Sequence, residues 1–290
     1  MMFNGYNEDL LKAIKGWLQE DVGSGDITTR TTIPAGHESK GIIHAKEDGI
    51  ICGIPVAELV FEVVDPGLVF TALVQEGQAV SKGTVIAEVE GSTHAILTGE
   101  RLALNLMQRL SGVASRTASF VEKLQGLPTR LVDTRKTTPG HRMLEKYAVR
   151  IGGGANHRYG LYDAVMIKDN HIKGAGGIRQ AVGRARANIP HTMTIEVETE
   201  SLEQVEEALA AGADIIMLDN MSPELMAEAV RRIRTKAKHV TIEASGNVSL
   251  ETVRGIAESG VDVISVGRLT YSFASLDISL DLNAKKEGTL

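Results

Sequence analysis

Apolar and polar positions change their rhythm near residue 128 of this chain. Beyond that point, short apolar runs typical of buried strands alternate with segments of helical spacing, such as 201–211 and 222–235. Strands that alternate with helices of this length form a parallel sheet, and about six such units predict an α/β barrel, which we expect to be open. The predicted strands are 130–133, 164–168, 193–198, 214–218, 239–243 and 262–266.

The chain before residue 128 mixes amphipathic helices with short strands. Residues 73–89 give two strand-like runs around glycine turns, a rhythm similar to half of a biotinyl or lipoyl carrier barrel. A carrier needs a modifiable lysine with its own flanking signature, which is missing, so we interpret these residues as a structural β layer. The other predictions are helices at 7–20, 56–63 and 100–120, strands at 38–52 and 277–282, and a polar loop at 20–29.

Polar or charged residues stand at the end of every predicted strand after residue 128. In a (β/α) barrel these positions share the rim that holds the active site, whereas a strand that only builds core has no need to end this way. We therefore expect these side chains to converge on one cavity. They are Thr134, Arg135, Lys136, Lys168, Asp169, Asn170, Glu196, Glu198, Asp219, Asn220, Ser245, Gly246, Asn247, Gly267 and Arg268.

Cations are concentrated between residues 131 and 171, a segment that also contains the triplet Asn156, His157 and Arg158. Most Arg and Lys residues lie on solvated surfaces, where helical spacing and interleaved acids are expected. These cations instead follow β-like runs directly and stand beside glycines and a proline that determine loop shape. We therefore predict an anionic ligand with more than one carboxylate or phosphate.

The last two strand ends, ASGN and SVGRLT, contain glycine turns that we expect to open helices. Taken alone, ASGN is an ordinary turn. Paired with a similar turn one strand later, it predicts a phosphate site, because backbone N–H groups at a helix start bind phosphate without side-chain charge.

Composition narrows the classes of protein. The chain has 290 residues, of which 43% are hydrophobic and 23% charged, as in a globular protein of one large domain or two unequal ones. Its net charge of −6 argues against a nucleic-acid binder. The single cysteine, Cys52, excludes an internal disulfide and a thiolate-rich metal site. We expect no leader peptide and no membrane span, and hence a soluble, cytoplasmic protein.

Several familiar ligand motifs are missing. The sequence has no GxxxxGK[ST] P-loop, and GGGANHR lacks the spacing of a Rossmann turn. The histidines show no HExxH or comparable spacing, so we do not expect a zinc site held by the protein. Glu198 and Asp219 can instead share Mg²⁺ with the phosphates of a substrate, since this ion often takes only one or two carboxylates from protein.

Long segments of this sequence resemble the quinolinate phosphoribosyltransferase family, also called nicotinate-nucleotide pyrophosphorylase (carboxylating). The segments are DTRKTTPG, KYAVRIGGGANHR, IKDNH, IEVE, LDN, EASGN and DVISVG, with EDVGSGDITT and ERLALNLMQRLSGVAS before them. The resemblance implies that quinolinate and phosphoribosyl pyrophosphate, with Mg²⁺ and no organic cofactor, are converted to nicotinate mononucleotide, pyrophosphate and CO₂ in NAD biosynthesis.

The resemblance also implies an architecture. An N-terminal α/β sandwich would cover 1–112 and an open α/β barrel 113–274, with the tail 275–290 packing back on the first domain. The family works as a homodimer, sometimes built into a homohexamer, in which the neighbouring subunit completes the site.

Motif by motif, the resemblance assigns roles to the site residues. The quinolinate pocket would be lined by Arg135, His157, Arg158 and Lys168, with Arg101 arriving from the partner subunit. Thr134 and Lys136 would lie beside the substrates, and Glu198 and Asp219 would hold ribose hydroxyls or the metal. The 5′-phosphate would be held by Ser245, Gly246, Asn247, Val266, Gly267 and Arg268. The catalytic set would be Lys136, Lys168, Glu198 and Asp219, and which of the two lysines contacts pyrophosphate stays open.

The residue types suit this chemistry. Removing two adjacent carboxylates from water requires several charge-assisted hydrogen bonds of about 1.5–3 kcal/mol each, so a single cation is not enough. Arginine suits a planar carboxylate because its fork binds both oxygens. Glu198 or Asp219 can stabilise the positive charge that develops on the ribose. We predict no covalent nucleophile, because the ring nitrogen of quinolinate can attack by itself.

Two alternatives stay open. One is a relative with the same scaffold that uses another acid, such as the homologue associated with molybdenum uptake. The other is a non-catalytic barrel that senses phosphorylated anions, which would have little use for Glu198 and Asp219 at its rim.

Overall fold

The computed structural model describes residues 7–284. Two compact units divide the chain: one contains the residues up to Ser115 together with those from Ala274 onward, and the other is Arg116–Phe273. These boundaries lie close to those predicted after residues 112 and 274. Within residues 7–284, no helix is both long enough and apolar enough to cross a membrane.

The elements follow one another in a fixed order along the chain. They are α1 (Asn7–Val22), α2 (Ile27–Thr32), β1 (Glu38–Ala45), β2 (Gly49–Ile50), α3 (Ile54–Val64), β3 (Val69–Ala72), β4 (Ala79–Val80), β5 (Val85–Ser92), α4 (Thr93–Lys123), β6 (Arg130–Val132), α5 (Arg142–Ile151), β7 (Val165–Ile167), α6 (Asp169–Ala175), α7 (Ile178–Asn188), β8 (Ile195–Thr199), α8 (Leu202–Ala211), β9 (Ile215–Asp219), α9 (Pro223–Lys236), β10 (Thr241–Ser245), α10 (Val253–Glu258), β11 (Val263–Ser265), α11 (Arg268–Tyr271) and β12 (Ile278–Ala284).

The first unit is built on an antiparallel sheet with the strand order β12-β1-β5-β3. β1 alternates between buried and less buried residues, and Ile43 and Ala45 are fully buried, as expected of a strand with one face on a core. β12 pairs with β1 along its length, from Ser39↔Ala284 to Ala45↔Ile278. Residues 278–284 of the predicted tail thus belong to the sheet of the first unit, and 285–290 lie outside the described residues.

The second unit is built on a parallel sheet with the strand order β6-β11-β10-β9-β8-β7. Its central strands are apolar and buried, with Val197, Ile216 and Ile242 fully inaccessible, as in sheets covered on both faces. Among the described residues no ladder joins β7 back to β6. The predicted open α/β barrel is therefore confirmed.

Helix caps show where several of the helices begin. The hydroxyls of Ser201 and Ser222 accept hydrogen bonds from the first turns of α8 and α9. The predicted polar loop at 20–29 is wrong at both ends, because α1 continues to Val22 and Asp26 caps α2 by accepting from Thr29 N at 3.0 Å. ASGN does not open a helix either: a turn around Ser249 follows it, and α10 begins only at Val253.

Candidate active site

A cavity of about 670 Å³ lies at the carboxyl ends of the parallel strands, where open α/β sheets bind their ligands. A smaller one of about 90 Å³ shares part of its wall. Of the predicted site residues, the large cavity is lined by Thr134, Arg135, Lys136, His157, Arg158, Lys168, Glu198, Asp219, Ser245, Gly246 and Asn247. The small one adds Val266, Gly267 and Arg268. Asn170 and Glu196, which were also expected at the rim, line neither cavity, so the structure brings together most but not all of the predicted rim residues.

Two guanidinium groups approach each other at the large cavity. Arg158 is held by hydrogen bonds from its Nη1 to the carbonyl of Ala164 at 2.9 Å and from its Nη2 to the sulfur of Met166 at 3.6 Å. Burial, and then the positive charge of Arg135, lower the pKa of Arg158. Like charges brought together in this way favour an anion between them.

Lys168 joins the cation cluster from the start of α6. Its backbone N–H donates to Nδ1 of His171 at 2.9 Å, which anchors the first turn of that helix. Its ammonium group forms an ion pair with Glu198 of β8. Because the Lys168 side chain is 42% exposed, this pair contributes little stability and can exchange for a ligand carboxylate.

The glycine loop after β10 is held against the loop after β9. Asn220 N donates to the carbonyl of Ser245 at 3.0 Å, and the Asn247 amide donates to Asn220 Oδ1 at 3.0 Å. Gly246 has φ +89, and a Cβ there would lie 2.8 Å from Asn220 N. Only glycine fits this close approach. The Asn220 amide in turn donates to Asp219 at 2.6 Å, which ties the acid to the same loop.

The loop after β11 closes the small cavity. Gly267 lies against Lys136, because a Cβ at this position would be 2.8 Å from Lys136 Cδ. Thr270 Oγ1 donates to the Lys136 carbonyl at 2.8 Å, and Lys136 N donates to Thr134 Oγ1 at 3.0 Å. The loops that follow β6 and β11, the first and last strands of this sheet along the chain, therefore share one polar corner of the site.

His157 lies between two buried carboxylates. Its Nε2 is 3.3 Å from an oxygen of Glu196 on β8 and 3.3 Å from an oxygen of Glu243 on β10. The Arg158 backbone N–H donates to Nδ1 at 2.7 Å. Burial opposes the charged imidazole, but hydrogen bonds and charges from Glu196 and Glu243 outweigh it and raise the pKa of His157 to about 10. With both ring nitrogens occupied, His157 can bind a ligand carboxylate only if one of these contacts opens.

Arg101, to which the resemblance assigns a place in the quinolinate pocket, also lines neither cavity. It lies exposed on α4 in the first unit, and the residues that line the two cavities belong to the second unit. Its contribution to a neighbouring subunit stays a prediction.

Sequence reasoning gave no role to the acids that hold His157, nor to Asp133 and Lys146. Glu243 was missed altogether, although TIEAS carries a charge inside an apolar strand. Burying such a charge is costly unless it is paired, so this position was a usable signal. Asp133 and Lys146 are both fully buried and form an ion pair beside the site.

Two family models match the chain: the N-terminal domain of quinolinate phosphoribosyl transferase over residues 26–111 and its C-terminal domain over 113–281. The chain belongs to the quinolinate phosphoribosyltransferase family. The predicted resemblance is confirmed, and members of this family cover nearly the whole chain.

Named relatives and a solved structure agree with this family. A probable nicotinate-nucleotide pyrophosphorylase [carboxylating] of Synechocystis sp. is 49% identical over 269 residues, 93% of this chain and 91% of the relative. One of Bacillus subtilis is 44% identical over 279 residues, 96% of this chain and 95% of the relative. The nicotinate-nucleotide pyrophosphorylase of Francisella tularensis has a TM-score of 0.91 and 39% identity, covering 98% of this chain and 99% of that one.

Proposed function

We propose that this chain transfers the phosphoribosyl group of phosphoribosyl pyrophosphate to quinolinate and releases pyrophosphate and CO₂. The product, nicotinate mononucleotide, serves NAD biosynthesis. One observation carries the proposal: Arg135, Arg158 and Lys168 meet at a cavity whose wall continues into glycine loops. Family membership supports the same reaction.

Quinolinate binds among the three cations. Arg158 has two of its donors held by the protein, and the ion pair of Lys168 with Glu198 opens in favour of the ligand. Arg135, exposed in the free chain, supplies a planar fork that matches a carboxylate. The dianion then removes the repulsion between the guanidinium groups.

Phosphoribosyl pyrophosphate binds at the other end of the rim. Ser245, Gly246 and Asn247, with Val266, Gly267 and Arg268, surround its 5′-phosphate. The quinolinate nitrogen forms a bond to C1′ as the bond from C1′ to pyrophosphate breaks, and Glu198 and Asp219 stabilise the positive charge on the ribose. Loss of CO₂ leaves an electron pair on the ring carbon, which takes up a proton. Thr134, Lys136 and Lys168 lie beside the reacting groups.

The donor set fits Mg²⁺ that arrives with its substrate. Glu198 and Asp219 both line the large cavity, but among the described residues they belong to no group of three metal-type ligands. One or two carboxylates plus phosphate oxygens are the usual ligands of Mg²⁺. Bound there, the ion would neutralise charge on the leaving pyrophosphate.

The active form is a homodimer, which can also assemble into a homohexamer, with Arg101 of the partner subunit completing the quinolinate pocket. The exposed position of Arg101 on α4 supports this assignment. We also propose that the enzyme works in the cytoplasm.

The test is turnover of quinolinate. Purified protein with quinolinate, phosphoribosyl pyrophosphate and Mg²⁺ is expected to release nicotinate mononucleotide and CO₂ in equal amounts, with nicotinate in place of quinolinate as the control acid. Turnover of another acid alone would assign a different substrate. Binding of both substrates without products would identify a sensor and refute the proposal.

A further inference from the structure

We propose that the buried ion pair of Asp133 and Lys146, together with Asn156, positions the quinolinate-binding residues His157 and Arg158. The three residues do not line either cavity, so they act through the groups they hold. The inference rests on the proposed function, because it names which of the two substrates depends on them.

The pair holds the backbone of His157 on both sides. The His157 N–H donates to Asp133 Oδ1 at 2.8 Å, and Lys146 Nζ donates to the His157 carbonyl at 3.0 Å. Lys146 also pairs directly with Asp133. With its donor and its acceptor both fixed to fully buried charges, the peptide at residue 157 has one orientation.

Asn156 extends the hold to the preceding residue. Its amide nitrogen donates to Asp133 Oδ2 at 2.6 Å and to the Lys146 carbonyl at 2.9 Å. Asp133 therefore accepts from Lys146, Asn156 and His157, so both of its oxygens are engaged by the loop that carries Arg158. Arg158 follows His157 directly, so the bond from Lys146 to the His157 carbonyl also fixes the peptide plane that carries the Arg158 N–H.

Stability alone does not account for this pair. Burial raises the pKa of Asp133 and lowers the pKa of Lys146, so the environment disfavours both charges. Buried ion pairs can often be replaced by apolar side chains of similar volume without loss of stability. What apolar side chains cannot replace is the donor and acceptor that orient residue 157.

The consequence should fall on one substrate. His157 and Arg158 lie at the quinolinate end, whereas the phosphate loops at 245–247 and 266–268 make no hydrogen bond with the pair among the described residues. A misplacement of about 1 Å can cost on the order of 100-fold in rate. We expect at least a tenfold rise in KM for quinolinate and less than a threefold change in KM for phosphoribosyl pyrophosphate.

The experiment separates positioning from stability with the double variant Asp133→Leu/Lys146→Met. Its melting temperature should fall, because the His157 N–H and carbonyl and the Asn156 amide lose partners, so the kinetics are measured at a temperature where the variant is still folded. There its KM for quinolinate should rise at least tenfold. The control is Asp214→Leu/Arg186→Met. This change removes another ion pair that binds a backbone N–H, that of Ile195, but it lies outside the two cavities. We expect this control to leave both KM values unchanged.

If the double variant does not fold, Asn156→Ala replaces it as the test variant, because it alters a single half-buried side chain. It should raise KM for quinolinate severalfold, again without affecting the other substrate. A quinolinate KM within twofold of the wild type, or equal rises for both substrates, would overturn the inference. A wild type that does not turn over quinolinate would refute the proposed function instead.

Discussion

The proton of His157 offers a direct test of how the site is charged. We expect Glu243→Gln to lower the pKa of His157 substantially. In the wild type this pKa is raised from 6.5 to about 10 against the effect of burial, and Glu196 and Glu243 lie at the same distance, 3.3 Å, from Nε2. Each carboxylate therefore supplies a large share of the rise, so the pKa of His157 should fall by at least one pH unit in the variant, a change of at least about 1.4 kcal/mol.

One contact opposes protonation of His157. The Arg158 N–H donates to Nδ1, and this bond must open when Nδ1 takes a proton. A neutral hydrogen bond contributes about 1 kcal/mol net, which is less than one pH unit. We therefore expect the two carboxylates to prevail and the wild-type imidazole to be charged at neutral pH.

The pKa can be measured by following the ring Cε1 proton of His157 by NMR as the pH changes, with the signal assigned from His157→Gln. Glu258→Gln, an exposed acid on α10, is the matched control and should leave the titration unchanged. A wild-type pKa below 7, or the same pKa in Glu243→Gln, would refute the reasoning.

The same linkage predicts the pH dependence of stability. A group whose pKa is higher in the folded chain stabilises it fully below the unfolded pKa, here about 6.5, and loses this effect as pH rises through about 10. The difference in unfolding free energy between the wild type and Glu243→Gln should therefore shrink from pH 6 to pH 10 in denaturant titrations. A difference that grows over this range would contradict the assignment.

Three further outcomes are expected. Arg135→Lys should lose at least tenfold in kcat/KM despite keeping its charge, because an ammonium group cannot bind both oxygens of a carboxylate; near-wild-type kinetics would remove Arg135 from the pocket. Mixing inactive Arg101→Ala and Lys168→Ala chains should restore partial activity if the partner subunit completes each site, and no rescue despite proven subunit exchange would argue for a site within one chain. Gly246→Ala should raise KM for phosphoribosyl pyrophosphate at least tenfold, since its Cβ would clash with the neighbouring loop. The control Gly83→Ala, at a glycine with φ +90 and nothing within 4 Å, should change only the stability, as measured in a denaturant titration. Equal KM values in both variants would contradict this prediction.

The rim of the barrel shows how much of the site can be predicted from the hydrophobic periodicity of the sequence. Strands such as 214–218 and 239–243 were predicted within two residues of β9 and β10, because apolar runs between polar turns are a local property of the chain. Since parallel strands all present their carboxyl ends to one rim, Arg135, Lys168 and Asp219 could be placed together without coordinates. The short strand β3 was missed because it depends on pairing with β5. The Asp26 cap was missed although it is a local contact with Thr29 that the sequence could have indicated.

The sequence by itself determined the fold class, most of the rim residues and the family. The spacing of apolar residues, the order of the strands along the chain and the motifs can all be read from it directly. Only the tertiary structure decided which charged side chains pair with one another. Glu196, Glu243 and His157 come together from three separate segments, and Asp133 pairs with Lys146, which follows it by 13 residues in the chain. Burial and distance set the energy of such pairs, and both arise only when distant segments pack together.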